Sequence, residues 1–458
     1  MTQALTSTVD TGDTAWLLTA SALVLLMAPG LAFFYGGMVR AKSVLNMMMM
    51  TFGALALVTV LWVLFGYSLA FGDDLGGGLL GDPTQYLGFR GVLTAVSGGV
   101  PVTAFAVFQG LFAVITVALI SGAIADRARF GTWMVFVALW VTLVYAPVAH
   151  WVFDYSSGDH VGGWLANRLH LVDFAGGTAV EINSGAAGLA AALVLGKRIG
   201  FGREPMRPHN LTLVMIGAGL LWFGWFGFNA GSALRADRAA AIVFTTTLLA
   251  GAAGTLAWLV VERLRDGHAT SLGAASGMVA GLVAITPSCG ALSAVGAIVM
   301  GAAAGVVCAL AVGLKYRWGY DDSLDVVGVH LVGGLVGTIG IGLLATRVAP
   351  SGVDGLLYGG GADQLGRQLL ASAVVLVFSF AMTALIVLGL DRTIGFRVHE
   401  EHEVSGVDLV IHAETAYDLH ASAGARPHVG HGSTGVLATM TRTETAEPTT
   451  GPGTDERG

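Results

Sequence analysis

Charge is what this 458-residue sequence has least of. Asp, Glu, Lys and Arg make up 12% of it, about half the usual share in soluble domains, while 54% of the residues are hydrophobic. A chain of this composition cannot hide its apolar surface by folding on itself alone. A soluble globular fold is therefore excluded, and the lipid bilayer must cover part of the surface. A net charge of −7 gives no basis for nucleic acid as a partner. Cysteine is nearly absent, and Cys289 and Cys308 both lie in apolar stretches, where they read as small core residues and not as a disulfide or metal pair. The sequence also lacks a nucleophile–base pair, a metal-ligand cluster and a phosphate-binding loop, so neither enzymatic activity nor a cofactor is expected. The N-terminus has no basic segment of the kind that opens a secretory signal. Thr2–Thr14 is polar and slightly acidic, and the run from Trp16 to Phe34 is already long enough to cross a bilayer, so it reads as a retained helix.

What the chain has instead is glycine, 67 residues of it, and long apolar runs. A bilayer core takes about 20 apolar residues per helix. Eleven windows satisfy this: 14–38, 44–71, 101–125, 131–153, 177–196, 210–233, 239–262, 270–288, 291–314, 325–346 and 367–391. They are too long for strands, which predicts an all-α membrane protein whose glycines let helices pack closely. With the N-terminus outside, the inside loops hold 14 Lys and Arg residues, from Arg40 to Arg397, and the outside loops hold 6, from Arg90 to Arg367. The excess predicts an N-terminus out and a C-terminus in. Eleven spans suggest five plus five plus one, with an odd number per repeat making the two repeats inverted. The membrane domain is expected over 1–392, an ordered cytoplasmic segment over 393–421, and a disordered tail rich in Gly, Thr, Pro and Ser over 422–458.

Two ionisable residues fall deep inside these windows. Glu181 lies in D173FAGGTAVEINSGAAG188 and His330 in D322SLDVVGVHLVGGLVG337. A charge at the bilayer centre costs about 2.5–3.5 kcal/mol on insertion scales, so each needs a partner, a proton or water. A lone membrane histidine is equally a hydrogen-bonded helix–helix contact, and a buried acid can serve packing. Aromatics form a second set. Phe108 and Phe112 stand at i and i+4, and Trp225 and Phe228 at i and i+3, with Ser232 one turn further. Such stripes are either packing and interfacial belts or the wall of a cation-attracting vestibule. Asp173 precedes the fifth window, where it either caps that helix or adds negative potential at the mouth.

The longer stretches around these residues resemble the Amt/Mep/Rh ammonium transporter family, on its Amt side. They include LLMAPGLAFFYGGMVR (25–40), FQGLFAVITVALISGAIADRARF (108–130), DFAGGTAVEINSGAAGL (173–189), GKRIGFG (196–202), PHN (208–210), GWFGFNAGSA (224–233), SLGAASGMVAGLVAITPSCG (271–290) and DVVGVHLVGGLVG (325–337). The resemblance runs from about Asp13 to Leu419. It implies a homotrimer of eleven-helix subunits in the cell membrane, each with its own pore for ammonium, ammonia or the analogue methylammonium. It implies that Phe108 lines an outer vestibule, that Phe112 and Phe228 form a stacked gate below it, and that Ser232 takes part in the outer ammonium site. Phe153 and Trp225 join that ammonium-binding set, and Asp173 holds the structure beneath it. His330 is implied as the second of a twin-histidine pair. Two positions depart from the commonest bacterial pattern: Glu181 replaces the first pore histidine, as in a subset of fungal Mep proteins, and Phe153 replaces the vestibule tryptophan. The expected mechanism deprotonates ammonium at the mouth, passes ammonia through an apolar pore and relays the proton over Glu181 and His330. An ammonium sensor and an electroneutral gas channel are the alternatives. The segments 196–210, 391–398 and 406–417 resemble regions that meet a PII-type signalling protein, although Ala413 stands where relatives often have Gly.

Overall fold

The computed structural model describes residues 8–417, so the tail expected over 422–458 lies outside the described residues. Eleven helices are long and apolar enough to cross a membrane. They are α1 (Thr11–Met38), α2 (Ala41–Phe71), α3 (Val102–Ile124), α4 (Phe130–Phe153), α5 (Gly177–Leu195), α6 (Leu211–Gly231), α7 (Arg238–Asp266), α8 (Ser271–Ser288), α9 (Ala294–Trp318), α10 (Val327–Leu344) and α11 (Asp363–Thr393). Each falls on one of the apolar windows read from the sequence. In lipid an unpaired backbone group is costly, and several helix starts are satisfied by their own side chains. Asp10, Asn210, Asp237, Thr270 and Ser293 accept from backbone N–H groups at the starts of α1, α6, α7, α8 and α9.

Glycine sets the closeness of packing. Helices α1 and α6 pack along their length, and a Cβ on Gly217 would collide with the backbone of Phe34. The outward sides of the helices carry exposed Leu, Val and Phe, as on α6 and α7 with Phe223 and Phe244. The core instead holds Trp133, Trp140, Phe112 and Phe228. Because the number of spans is odd, α1 starts on one face, called here the N-side, and the chain leaves α11 on the other, the C-side. Two short antiparallel ribbons lie between α2 and α3: β1 (Asp74–Leu75) with β2 (Leu80–Gly81), and β3 (Val96–Ser97) with β4 (Val100–Pro101).

The centre is built from α5 and α10. Both begin with a wide π-helical turn, Gly177–Ile182 and Val327–Leu331, and these turns carry Glu181 and His330. Each start is capped by an aspartate eight residues before the ionisable residue. Asp173 accepts from the backbone N–H of Gly176, Gly177 and Thr178 at 2.7–2.8 Å and from the Thr178 hydroxyl. Asp322 accepts from Val326 and Val327 at 3.1 and 2.7 Å. The same device thus occurs once in each half of the chain, on opposite faces, as an inverted five-plus-five repeat requires.

Beyond α11, α12 (Glu400–Ser405) and α13 (Val407–His412) fold onto the C-side. Asp408 caps α2 by accepting from Leu45 and Asn46 at 3.0 and 2.8 Å, and Glu403 accepts from Ile199 N–H at 2.8 Å and from Arg397 at 3.0 Å. Ala413 adopts φ +55°, a left-handed conformation that glycine takes without strain.

Candidate functional site

Two cavities and a narrow lumen lie within the helix bundle. The N-side cavity holds about 560 Å³, and its wall includes Phe112, Phe153, Asp173 and Ser232. The C-side cavity holds about 460 Å³ and is lined by Arg198, Lys315, Ser323 and Asp325 among others. Between them, the lumen offers only about 10 Å³ of free space, hardly more than one water-sized sphere. Its wall is Met27, Leu31, Ile115 and Val279, with Trp225, Glu181 and His330 as the polar exceptions.

The rings of Phe112 and Phe228 separate the N-side cavity from this lumen. They stack with centroids 4.0 Å apart at 20°, Phe112 facing the cavity and Phe228 the lumen. The contact joins α3 to α6 and is buried on both sides. Phe153 meets the edge of Phe112 at 6.2 Å and 82° from the end of α4. Ser232 Oγ donates to the Phe228 carbonyl at 2.8 Å, which uses its proton and leaves its lone pairs for a donor in the cavity.

Two of the expected vestibule residues stand elsewhere. Phe108 is wholly buried, with its ring edge on Phe112 at 4.9 Å and its far side on Gly231, so it backs the stacked pair and does not line the cavity wall. The i, i+4 spacing placed both rings on one face of α3, but Gly231 at the end of α6 packs against the first. Trp225 lies on the lumen side of Phe228, where its indole N–H donates to Thr286 Oγ1 at 2.8 Å. Phe105, nearly one turn before Phe108, takes a place in the cavity wall that no pattern in the sequence assigned to it.

In the lumen, His330 Nδ1 lies 2.7 Å from Glu181 Oε2. The two side chains are buried, at 4% and 1% exposure, and come from different halves of the chain. One proton between these atoms serves both groups: the carboxylate accepts from an imidazole N–H, or a carboxylic acid donates to a bare imidazole nitrogen. Asp173, which the sequence left open between cap and charge, is both cap and cavity wall.

Other polar residues went unread. On the C-side, Arg198 reaches Asp321 at 2.8 and 2.9 Å and Asp126 at 3.0 Å, while Arg40 reaches Asp126 at 3.2 Å. Buried Arg127 donates to Ser323 and to the Asp321 and Ala123 carbonyls. Although burial opposes its charge, Asp321 is held below the usual carboxylate range by Arg198 and Arg127. Burial pushes Asp322 up to about 6. The signal for Asp322 was present in the sequence, since it precedes His330 by the interval that separates Asp173 from Glu181.

The family profile described as Ammonium Transporter Family matches residues 15–417. A protein of Mycobacterium tuberculosis described as an ammonium transporter is 57% identical over 441 residues, covering 91% of this chain and 92% of its own. One from Corynebacterium glutamicum with the same description is 44% identical, covering 90% and 91%. Among solved structures, Saccharomyces cerevisiae Mep2 superposes with a TM-score of 0.80 at 36% identity, over 87% of this chain and 90% of that one. Candida albicans Mep2 gives 0.79 at 37%, over 86% and 88%. Profile, sequence and fold agree over nearly the whole described length, and the chain belongs to the ammonium transporter family, whose members are membrane transport proteins and not enzymes.

Proposed function

We propose that this ammonium transporter binds the ion in the N-side cavity, strips one proton from it and passes ammonia through the lumen, while the proton travels separately over Glu181 and His330. The observation that carries this reading is the buried 2.7 Å contact between Glu181 and His330 in the wall of a lumen closed by two stacked rings. Ammonium and potassium carry the same charge and are similar in size, so charge alone separates them poorly. Ammonium alone can donate hydrogen bonds and lose a proton.

At the mouth, the Ser232 oxygen and the faces of Phe112 and Phe153 supply an acceptor and cation–π attraction, worth about 0.5–2 kcal/mol per ring. That does not offset taking a bare ion through a narrow apolar passage, which costs several kcal/mol or more. Deprotonation removes this barrier for ammonia and sets a proton free. Glu181 and His330 are the polar groups on the lumen wall that can receive it, since the Trp225 indole only donates, and together they can take up one proton and give up another without either standing as an unpaired buried charge.

Other parts of this reading concern setting. The 14-to-6 excess of basic residues favours the N-side outside and the C-side in the cytoplasm of a cell-membrane protein. The family resemblance supports a homotrimer. The C-side surface of 196–210 and 391–417 is the proposed contact for a PII-type regulator.

An ammonium jump on proteoliposomes tests the mechanism. The expected result is a transient inward current that potassium does not evoke. Ammonia permeation without current would overturn the separate proton route, and neither current nor permeation would overturn the transport reading.

A further inference from the structure

Away from the lumen, titratable groups gather on the rim of the N-side cavity. His160 bridges two elements there. Its Nδ1 lies 2.6 Å from Asp73 Oδ1, just after α2, and its Nε2 lies 2.9 and 3.0 Å from the two oxygens of Asp154, just after α4. A neutral imidazole has one N–H and can donate to only one of these carboxylates. Keeping both contacts as hydrogen bonds takes an imidazolium, or a proton on one of the acids. The side chain is also held in place, because the backbones of Ser157 and His160 bond to each other at 3.0 and 3.1 Å. His160, Asp154 and Ser157 all line the cavity.

The surrounding charges come from every neighbouring element. His150 of α4 lies 3.4 Å from Asp74 and 3.3 Å from Asp154. Gln85 donates to Asp73 at 3.2 Å beside Tyr86, and Asp173 and Arg235 face the cluster across the cavity. Burial lifts the Asp154 carboxyl to about 7. Burial alone would lower the His160 imidazole, but Asp73 and Asp154 hold it above its ordinary value. Asp154 and His160 share hydrogen bonds, so their protons come off as a coupled pair and not residue by residue.

We propose that His160, clamped between Asp73 and Asp154, makes the attraction of the N-side cavity for cations depend on the pH of the compartment it faces. This rests on the reading of that cavity as the place where ammonium binds. When the shared proton leaves, the rim gains one negative charge next to a wetted cavity. Cation occupancy then rises, by about two- to threefold for a single charge in this setting.

The test is the half-saturation of methylammonium uptake as external pH is raised from about 5.5 to 8, a range that brackets histidine titration and leaves the substrate protonated. In the wild type it should fall about two- to threefold. His160→Gln removes the imidazole that pulls Asp154 down, so its transition should move to higher pH, and the double variant His160→Gln/Asp154→Asn should be flat. Asp73→Asn, at a side chain 62% exposed and outside the packed core, should move the transition to lower pH. A wild type that takes up no methylammonium at any pH overturns the transport reading itself. A transporting wild type whose profile coincides with those of His160→Gln and Asp73→Asn overturns the role of His160 alone.

Discussion

Glu181 and His330 meet at 2.7 Å although 149 residues separate them, because α5 and α10 start with the same wide turn and point those turns at one lumen. In most settings a buried acid beside an imidazole is a packing device. Here the pair is the main break in an otherwise apolar wall, which places it where a proton must be handled if ammonia is to cross uncharged.

Glu181→Gln keeps the size and one hydrogen bond to His330 but cannot ionise. The ammonium-evoked current in proteoliposomes should fall by about tenfold or more, the order of effect of losing a proton-transfer group. Currents equal to wild type would remove Glu181 from the proton route.

Phe228→Ala takes away one face of the 4.0 Å stack and joins the N-side cavity to the lumen. A barrier of several kcal/mol to bare ions then drops, and each 1.4 kcal/mol is about tenfold in rate. Potassium conductance should rise at least about tenfold in planar bilayers. A variant as tight to potassium as wild type would show that the rings do not form the barrier.

Phe153→Trp adds a stronger cation–π partner at the cavity. Half-saturation for methylammonium should fall by about two- to fivefold, from a gain of roughly 0.5–1 kcal/mol, with maximal uptake little changed. An unchanged half-saturation would mean that ring 153 does not face the bound ion.

Asp173→Ala leaves three backbone N–H groups and the Thr178 hydroxyl at the start of α5 without their acceptor. The expected loss is about 2–4 kcal/mol, read as a lower thermal midpoint in detergent. Asp173→Asn, which keeps one acceptor oxygen, should lose less. A melting curve for the alanine variant that matches wild type would contradict the capping role.

The C-side network gives a pH test. Because its partners hold Asp321 below the usual carboxylate range, its contribution is fully present above about pH 4 and is lost as pH falls through its folded value. Asp321→Asn strips the buried Arg198 of its main partner, so at pH 7 the variant should be less stable by about 3–5 kcal/mol. That gap should narrow as the pH falls below about 4. A gap that stays constant with pH would mean that the ion pair is not its source.

Sequence alone determined the architecture. Lipid is a demanding solvent that forces about 20 apolar residues into each span, and no packing detail is needed to count eleven of them. It also marked Glu181 and His330, since an ionisable residue is conspicuous where nearly everything else is apolar. What it left undecided were contacts between distant helices. Phe108 and Phe112 share a helical face, yet the end of α6 at Gly231 packs on the first while the second stands in the cavity wall. Trp225 and Phe228 are one turn apart and both line the lumen, yet Phe228 stacks on Phe112 while Trp225 donates to Thr286. His160 and Asp73 are 87 residues apart in loops whose composition carries no periodic signal. Periodicity reports which way a side chain leaves its own helix. Only the arrangement of neighbouring helices and loops decides what it meets there, and so which of these residues touch a lumen.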